Sequence, residues 1–236
     1  DTTATISVTV GGQTRAGTNN GNGTWSLADN AISPVLPQGT YNVAVTATDT
    51  AGNAGTDSTA SELVIDTTAP TITVTARTTN DTTPALSGTI NDNTATISVV
   101  VGGQTRSATN NGNGTWTLAD GALATLGNGV FNVVATATDA AGNAASDGTN
   151  NELTVDTIVP VVTVNTLATT DTTPPLSGTV SEPGASISVV VNGQTRAATN
   201  NGNGTWTLAD NALTALPNGV FDVAATATDG ATNAGA

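Results

Sequence analysis

The chain has 236 residues and a formal net charge of −14, with no cysteine or histidine, and its basic residues are four arginines. Phosphate backbones and anionic membranes repel such a surface, so nucleic acid and membrane surfaces are poor partners. The general base, thiol nucleophile and Schiff-base amine most common in enzymes are all missing, so we expect no enzyme. No apolar run is long enough to insert into a membrane, and no disulfide can form.

An internal repeat organises the chain from its first residues. The motif Gly-Asn-Gly-Thr-Trp occurs at residues 21–25, 112–116 and 202–206, about 90 residues apart. A period of this length fits one small domain per copy. We therefore predict a first copy at 1–66 lacking its N-terminal strands, a complete middle copy at 67–156, and a third copy at 157–236 lacking its last strand. This pattern is expected of a segment of a longer array.

Apolar and polar residues alternate with period two through the middle copy, which predicts seven half-buried strands. Gly102-Gly103 is predicted to form a two-residue hairpin turn, and Asp120 to cap a short helical turn that buries Leu123 and Leu126. Seven short strands in about 90 residues predict an all-β fold, with tandem seven-stranded immunoglobulin-like β-sandwiches. The predicted inward-facing residues, strand by strand, are Ile72 and Val74; Leu86, Gly88 and Ile90; Ile97, Val99 and Val101; then, after a strand at 105–109, Trp116 and Leu118; Phe131, Val133, Ala135 and Ala137; and Leu153 and Val155.

Residues 39–43 resemble the start of strand F in immunoglobulin-like domains, where a tyrosine hydroxyl ties back the preceding corner. Tyr41 supplies that hydroxyl in the first copy. Its counterparts, Phe131 and Phe221, have none, so the tie is expected only in the first copy.

Carboxylates are predicted to gather where one copy joins the next. In a seven-stranded sandwich three loops lie at the end where the first strand enters, and in the middle copy they carry Asp92, Asp139 and Asn143. The joint from the preceding copy adds Asp66. Hard oxygen ligands from several loops suit calcium and do not suit zinc. The full set of candidate metal ligands is Asp66, Asp92, Asp139 and Asn143 at the first joint, Asp156, Glu182, Asp229 and Asn233 at the second, and Asp49 and Asn53 in the first copy.

Each of these residues also has an ordinary structural interpretation. Asp139 and Asn143 suit a turn whose side chains bond their own backbone, and Asp66 suits an exposed strand end. Three acids at one joint would then repel one another without compensation, so we favour calcium. Asp81 and Asp171, at the opposite end of their copies, are predicted to form turns, and Asp147 is assigned no role.

The tryptophans admit two interpretations. Trp116 shares a strand face with Leu118, which favours the core over a sugar-stacking platform. Asn22, Asn113 and Asn203 match a glycosylation pattern, and a tight turn is the preferred interpretation.

Several motifs resemble the bacterial immunoglobulin-like repeats of giant secreted adhesins, including biofilm-associated and RTX-type adhesins exported by type I secretion. They are the Val-Asp-Thr-x-x-Pro joint, Asp-Thr-Thr-Pro, Gly-Asn-Gly-Thr-Trp and Ala-Thr-Asp-Ala-Ala-Gly-Asn. The resemblance implies tandem sandwiches, calcium at domain boundaries and a stalk. The ligands it implies are Asp66 and Asp156, Asp139 with Asn143, and Asp229 with Asn233. Thr232 replaces Gly142 in the third copy and predicts a differently shaped loop there.

Three functions follow as hypotheses. The first is a calcium-stiffened stalk segment of an extracellular adhesin or fibre on a bacterial surface, whose partners are calcium ions and neighbouring repeats of the same chain. The second is a calcium-dependent, lectin-like repeat that contacts glycans through its tryptophans. The third is a matrix or surface-layer component that self-associates laterally. Exposure of the indole rings discriminates the second hypothesis from the others.

Overall fold

The computed structural model describes residues 1–57 and 59–236, and every regular element among them is a β-strand. The chain forms two compact units, one of Asp1–Ala69 with Asp139–Ala144 and one of Pro70–Thr138 with Ala145–Ala236. No helix in the described residues has the length and hydropathy needed to cross a bilayer. The strands are β1 Thr5–Val10, β2 Gln13–Asn19, β3 Trp25–Ser26, β4 Gly39–Tyr41, β5 Val43–Thr48, β6 Ala54–Thr56, β7 Leu63–Ile65, β8 Arg77–Thr79, β9 Leu86–Thr89, β10 Thr96–Val101, β11 Gln104–Asn110, β12 Thr115–Leu118, β13 Gly129–Phe131, β14 Val133–Thr138, β15 Ala144–Ser146, β16 Leu153–Val155, β17 Leu176–Thr179, β18 Ser186–Val191, β19 Gln194–Asn200, β20 Thr205–Leu208, β21 Val223–Thr228 and β22 Ala234–Gly235.

The middle copy is built from two sheets. One has the strand order β15-β14-β10-β11-β12-β9 and the other the order β13-β16-β8. Val99 and Val101 of the first sheet and Leu153 and Val155 of the second are all almost completely buried in one core. The third copy repeats the larger sheet as β17-β20-β19-β18-β21-β22. The all-β, immunoglobulin-like fold class is confirmed.

The predicted register of the middle copy is confirmed by burial. Ile97, Val99, Trp116, Leu118 and Val133 are buried, whereas the neighbouring Thr96, Ser98 and Thr117 are exposed. Phe131 is only half-buried and packs against the edge of the core. A slip of the register by one residue would have buried Thr96, Ser98 and Thr117 and exposed their apolar neighbours, because side chains alternate between faces.

The strands differ from the prediction at the start of the middle copy. Ile72 and Ile90 form an isolated bridge instead of a first strand, and the chain first pairs regularly at β8, which runs parallel to β16. β15 is also an additional strand. The predicted sixth strand is divided at Asn132, because β13 pairs with β16 in one sheet and β14 with β10 in the other.

The predicted helical turn after Asp120 is absent from the structure. Gly121 has φ of 71°, outside the right-handed helical region, and its N–H donates to the Thr83 carbonyl at 2.9 Å. The segment therefore turns without becoming helical. Leu123 and Leu126 are buried as predicted.

Two of the three tryptophans lie in the core as predicted. The indole N–H of Trp116 donates to the Thr73 carbonyl at 2.9 Å, and Trp206 makes the equivalent bond to Thr163 at 2.8 Å. Both rings are 0% exposed, whereas Trp25 is 40% exposed. β3, which carries Trp25, is an edge strand of the sheet β3-β2-β1-β5-β6, while β12 and β20 are each covered on that side by a further strand, β9 or β17.

The turn and corner predictions are also confirmed. Gly102 and Gly103 have φ of 55° and 73° in the hairpin that pairs β10 with β11. The Tyr41 hydroxyl donates to the Pro37 carbonyl at 2.7 Å, which ties the corner in the first copy. The side-chain oxygens of the predicted turn residues accept from the N–H two residues on, for Asn22, Asn113 and Asn203 and for Asp81 and Asp171.

Candidate metal centre

The loop from Asp229 to Asn233 is closed by its own end residues. Asp229 Oδ1 accepts from the N–H groups of Ala231 and Asn233, both at 2.8 Å, and Oδ2 accepts from Asn233 Nδ2 at 2.7 Å. Burial raises the pKa of Asp229, and these hydrogen bonds lower it by more, so the net shift is downward. The carboxylate is therefore ionised at neutral pH. Asp229 and Asn233 thus form the kind of turn that was the alternative to calcium binding for their counterparts, Asp139 and Asn143.

Asn233 also connects this loop to the joint between the middle and third copies. Its side chain is 8% exposed, and Nδ2 donates to the Asp156 carbonyl at 2.8 Å. The Asp156 carboxylate accepts from the Ile158 N–H at 2.9 Å. One amide nitrogen thus lies between a carboxylate oxygen and a backbone carbonyl oxygen, the two kinds of ligand that calcium prefers.

Glu182 is the third acid at this joint. Burial raises the pKa of Glu182, and the negative charges of Asp229 and Asp156 raise it further. Glu182 therefore lies close enough to both aspartates for their negative charges to act on it.

We expect Glu182→Gln to stabilise the third copy when divalent cations are chelated. The substitution keeps the side-chain volume and removes a repulsion of about 1 kcal/mol per pair at the distances of neighbouring surface charges. Urea unfolding in chelator measures the gain. The exposed Asp222→Asn makes the same change of charge as a control, and an equal gain in both variants would mean that only the net charge matters.

The first joint repeats the same arrangement. Asn143 donates from its N–H and from Nδ2 to the two oxygens of Asp139, both at 2.8 Å, and Nδ2 also donates to the Asp66 carbonyl at 3.1 Å. The Asn143 side chain holds the pKa of Asp139 below its usual value. In the first copy Asp49 and Asn53 close their loop in the same way, and the pKa of Asp49 is lowered by Asn53.

Asp92 lies in the unit of Pro70–Thr138 and has a local role. Its carboxylate accepts from the N–H and hydroxyl of Thr94, both at 2.7 Å, and its carbonyl accepts from Asn110 Nδ2 at 2.9 Å. Asp66 likewise accepts from the Thr68 N–H at 2.9 Å. Both carboxylates therefore organise the turns that follow them.

The oxygen chemistry of the joints suits calcium, but the structure does not assemble a cage for it. Across residues 1–57 and 59–236, no three side chains of His, Cys, Asp or Glu converge into a group that could hold a metal. At the second joint the Asn233 amide lies where the Asp229 and Asp156 oxygens meet. A cation at that position requires the amide to turn and offer its oxygen in place of its nitrogen.

The expectation of a differently shaped loop at Thr232 is wrong. Thr232 has φ of 74° and its counterpart Gly142 has φ of 94°, and both N–H groups donate to the carbonyl of the loop's first Asp at 3.3 Å. The threonine therefore adopts the glycine conformation, which is strained for a β-branched residue.

Relief of this strain gives a prediction for the loop. Thr232→Gly is expected to stabilise the third copy by about 1 kcal/mol, and Gly142→Thr to destabilise the middle copy by a similar amount. Differential scanning calorimetry of both variants tests this. Changes of the same sign in the two variants would contradict the assigned strain.

Sequence reasoning missed Glu152, which is 5% exposed. Its Oε2 accepts from the Val133 N–H at 2.9 Å, at the point where the chain passes from one sheet to the other. The available signal was a shared spacing, Asp-x-Thr-x-x-Glu, at residues 57–62 and 147–152.

The sequence pattern of the bacterial Ig-like domain matches residues 1–67 and 71–157 of the chain. No curated protein sequence matches it. Among solved structures, similarity is found to a Ca²⁺-stabilised adhesin that helps an Antarctic bacterium reach out and bind ice, with 26% identity and a TM-score of 0.41, over 99% of this chain and 63% of that one.

A tetra-tandem repeat from the extending region of a large adhesion protein is 27% identical, with a TM-score of 0.35 over 99% of this chain and 65% of that one. A bacterial ice-binding adhesin is 24% identical, with a TM-score of 0.39 over 98% and 82% of the two chains. The chain thus spans less than two thirds of the first two structures. Superposition at these TM-scores is too weak to transfer a property to this chain.

Proposed function

Because the chain belongs to the bacterial Ig-like domain family, we propose that it is a structural stalk segment of an extracellular adhesin or fibre, made stiff by calcium at the joints between its copies. The division into copies at 1–66, 67–156 and 157–236 is part of this proposal. So are a location outside the bacterial cell and the absence of catalysis. The observation that carries it is the contact of Asn233 with the Asp156 carbonyl at 2.8 Å.

The second joint has several features expected of a short, load-transmitting connection. The loop of the third copy hydrogen-bonds to the joint backbone through a nearly buried amide. β22 also packs tightly here, since a Cβ on Gly235 would lie 1.8 Å from the Pro160 carbonyl oxygen. A joint of β-branched residues and proline is stiffer than a Gly/Ser tether. These contacts favour a spacer over a flexible linker.

Calcium is proposed because this joint holds more negative charge than its own hydrogen bonds balance. Burial raises the pKa of Glu182, and the negative charges of Asp229 and Asp156 raise it further. A divalent ion would convert that repulsion into attraction. Asp156, Glu182, Asp229 and the side-chain oxygen of Asn233 would hold the ion, and Asp66, Asp139 and Asn143 would do so at the first joint. Extracellular calcium modules bind at about 10⁻⁴–10⁻³ M, so the ion would bind outside a cell and not in the cytosol.

The glycan-binding alternative is weakened by the tryptophans. Stacking on a sugar needs an exposed ring face, and Trp116 and Trp206 are 0% exposed. Their indole N–H groups are also bonded within the core. A platform repeated in every copy is therefore not available.

Small-angle X-ray scattering of the 236-residue chain tests the proposal. Calcium is expected to increase the maximum dimension relative to chelator, because the joints stop bending. Asp156→Ala removes one carboxylate while keeping the backbone carbonyl, and should reduce this response. Asp222→Ala, an exposed acid away from the candidate ligands, should leave it unchanged. A maximum dimension that is the same with calcium and with chelator would refute the stiffened stalk.

A further inference from the structure

Residues 147–152 form an acidic loop that is separate from the candidate ligands at the joints. Its two ends are anchored on the same strand, β14. The Asp147 N–H donates to the Ala135 carbonyl at 2.9 Å, and the Val133 N–H donates to Glu152 Oε2 at 2.9 Å. Val133 and Ala135 are two positions apart, about 7 Å along the strand and facing the same way. The Asp147 backbone and the Glu152 carboxylate are thus held on one side of the same strand, where the negative charge of Asp147 acts on Glu152.

Thr149 lies between these two acids in the loop. Its hydroxyl donates to Asp147 Oδ2 at 2.5 Å and its N–H to the same oxygen at 3.1 Å. A hydroxyl has one proton and two acceptor lone pairs. Having given its proton to Asp147, the Thr149 oxygen can still act as a ligand toward a positive charge.

Glu152 has one oxygen that nothing in the described structure satisfies. The residue is 5% exposed, and while Oε2 is bonded to Val133, Oε1 is buried with no hydrogen-bond partner. A buried acceptor without a partner costs about 1–3 kcal/mol, and more when it is charged. Burial raises the pKa of Glu152, and hydrogen bonds led by the one from the Val133 N–H lower it by more.

We propose that residues 147–152 bind a small hard cation, calcium being the fitting extracellular ion, through Glu152 Oε1, the Asp147 carboxylate and the Thr149 hydroxyl. Three oxygen atoms of these types are ligands that calcium accepts, and water can complete its coordination. The ion would supply the partner that Oε1 lacks. Since Glu152 bonds the N–H at the point where β13 gives way to β14, the ion would also fix the crossing between the two sheets.

The first copy contains the same construction. Glu62 Oε2 accepts from the Val43 N–H at 3.0 Å, and the Thr59 hydroxyl donates to Asp57 Oδ2 at 2.7 Å. The Asp57 N–H donates to the Val45 carbonyl at 2.9 Å. Glu62 is exposed where Glu152 is buried, so we expect the site in the first copy to bind the ion more weakly.

Calcium titration of the full chain, followed by ¹⁵N-resolved NMR, tests the proposal site by site. The Val133 and Thr149 amides are expected to shift with calcium, at millimolar or lower concentration. Glu152→Gln keeps an oxygen for the Val133 N–H and places an NH₂ group where Oε1 was, so it mimics the bound cation. These two amide shifts should then be lost, and the thermal midpoint in chelator should rise.

The joint serves as an internal reference, so the two calcium proposals can fail separately. In Glu152→Gln the Ile158 and Asn233 amides should respond to calcium as in the unmodified chain, while in Asp156→Ala the Val133 and Thr149 amides should still respond. Glu62→Gln is the matched control and should leave the Val133 shift intact. Val133 and Thr149 amides that do not move with calcium, or that move equally in Glu152→Gln, would overturn the site and leave a buried water as the partner of Oε1.

Discussion

Gly88→Ala is expected to unfold the middle copy or to destabilise it by about 3 kcal/mol. A Cβ at this position would lie 1.8 Å from the Thr73 carbonyl oxygen and 2.7 Å from Trp116 Nε1. The backbone of β9 would have to move away, and the hydrogen bond between the indole and that carbonyl would be lost with it. Urea unfolding followed by circular dichroism measures the change.

Gly127→Ala provides the control in the same copy. Nothing lies within 4 Å of a Cβ built there, and its φ is not in the left-handed region. This variant should be neutral or slightly stabilising, because alanine restricts the unfolded chain. Gly178→Ala, which meets Thr163 and Trp206 at nearly the same distances, should reproduce the loss in the third copy. Equal stability of Gly88→Ala and Gly127→Ala would show that the close approach is not required.

Trp116→Ala is expected to cost about 4 kcal/mol in the stability of the middle copy. The ring is completely buried, so its removal leaves a large cavity and also leaves the Thr73 carbonyl without its indole donor. Trp206→Ala should have a similar effect on the third copy. Calorimetry is the appropriate measurement, because it does not depend on tryptophan fluorescence.

Trp25→Ala is the matched comparison and is expected to cost less than about 1 kcal/mol. The three tryptophans occupy the same place in the repeated motif, yet Trp25 is 40% exposed on an edge strand. A loss as large as that of Trp116→Ala would mean that Trp25 is covered in solution.

Much of this fold follows from local sequence patterns. The alternation in β10 and β12 assigns the buried faces correctly, because a strand has only two faces and one of them is apolar. Glycine pairs and Asn-Gly sequences locate the hairpins, since few other residues tolerate positive φ. The corner tie of Tyr41 was also predicted correctly, because its hydroxyl donates to a carbonyl only four residues away.

The differences from prediction arise where long-range pairing decides the structure. The division at Asn132 cannot be seen in the alternation of Phe131, Val133 and Ala135, because both halves point apolar residues into the same core. The parallel pairing of β8 with β16 joins residues that are 76 positions apart, and the polar sequence of β8 does not predict a strand. The spacing of Asp147 and Glu152 is visible in the sequence, but the burial of Glu152 depends on the neighbouring strand.

The contacts of the candidate ligands also fall into local ones, which the sequence specifies, and long-range ones, which it does not. Asp139 with Asn143, and Asp229 with Asn233, were placed correctly within one loop, because each pair is four residues apart and bonds locally. Their use of a carbonyl from the joint is a contact across 77 residues, which sequence spacing does not specify. Calcium binding by these residues stays a prediction.

The parallel pairing of β8 and β16 has a mechanical consequence. β8 lies near the entrance of the middle copy and β16 at its exit, and they are bridged by the Arg77 N–H to the Glu152 carbonyl at 2.7 Å and the Asp156 N–H to the Thr79 carbonyl at 2.9 Å. Tension along the chain pulls these strands in opposite directions along their own axes. The bridging hydrogen bonds are then sheared together instead of being opened one after another. Because the unfolding rate governs forced unfolding, this arrangement should slow the unfolding of the copy under tension.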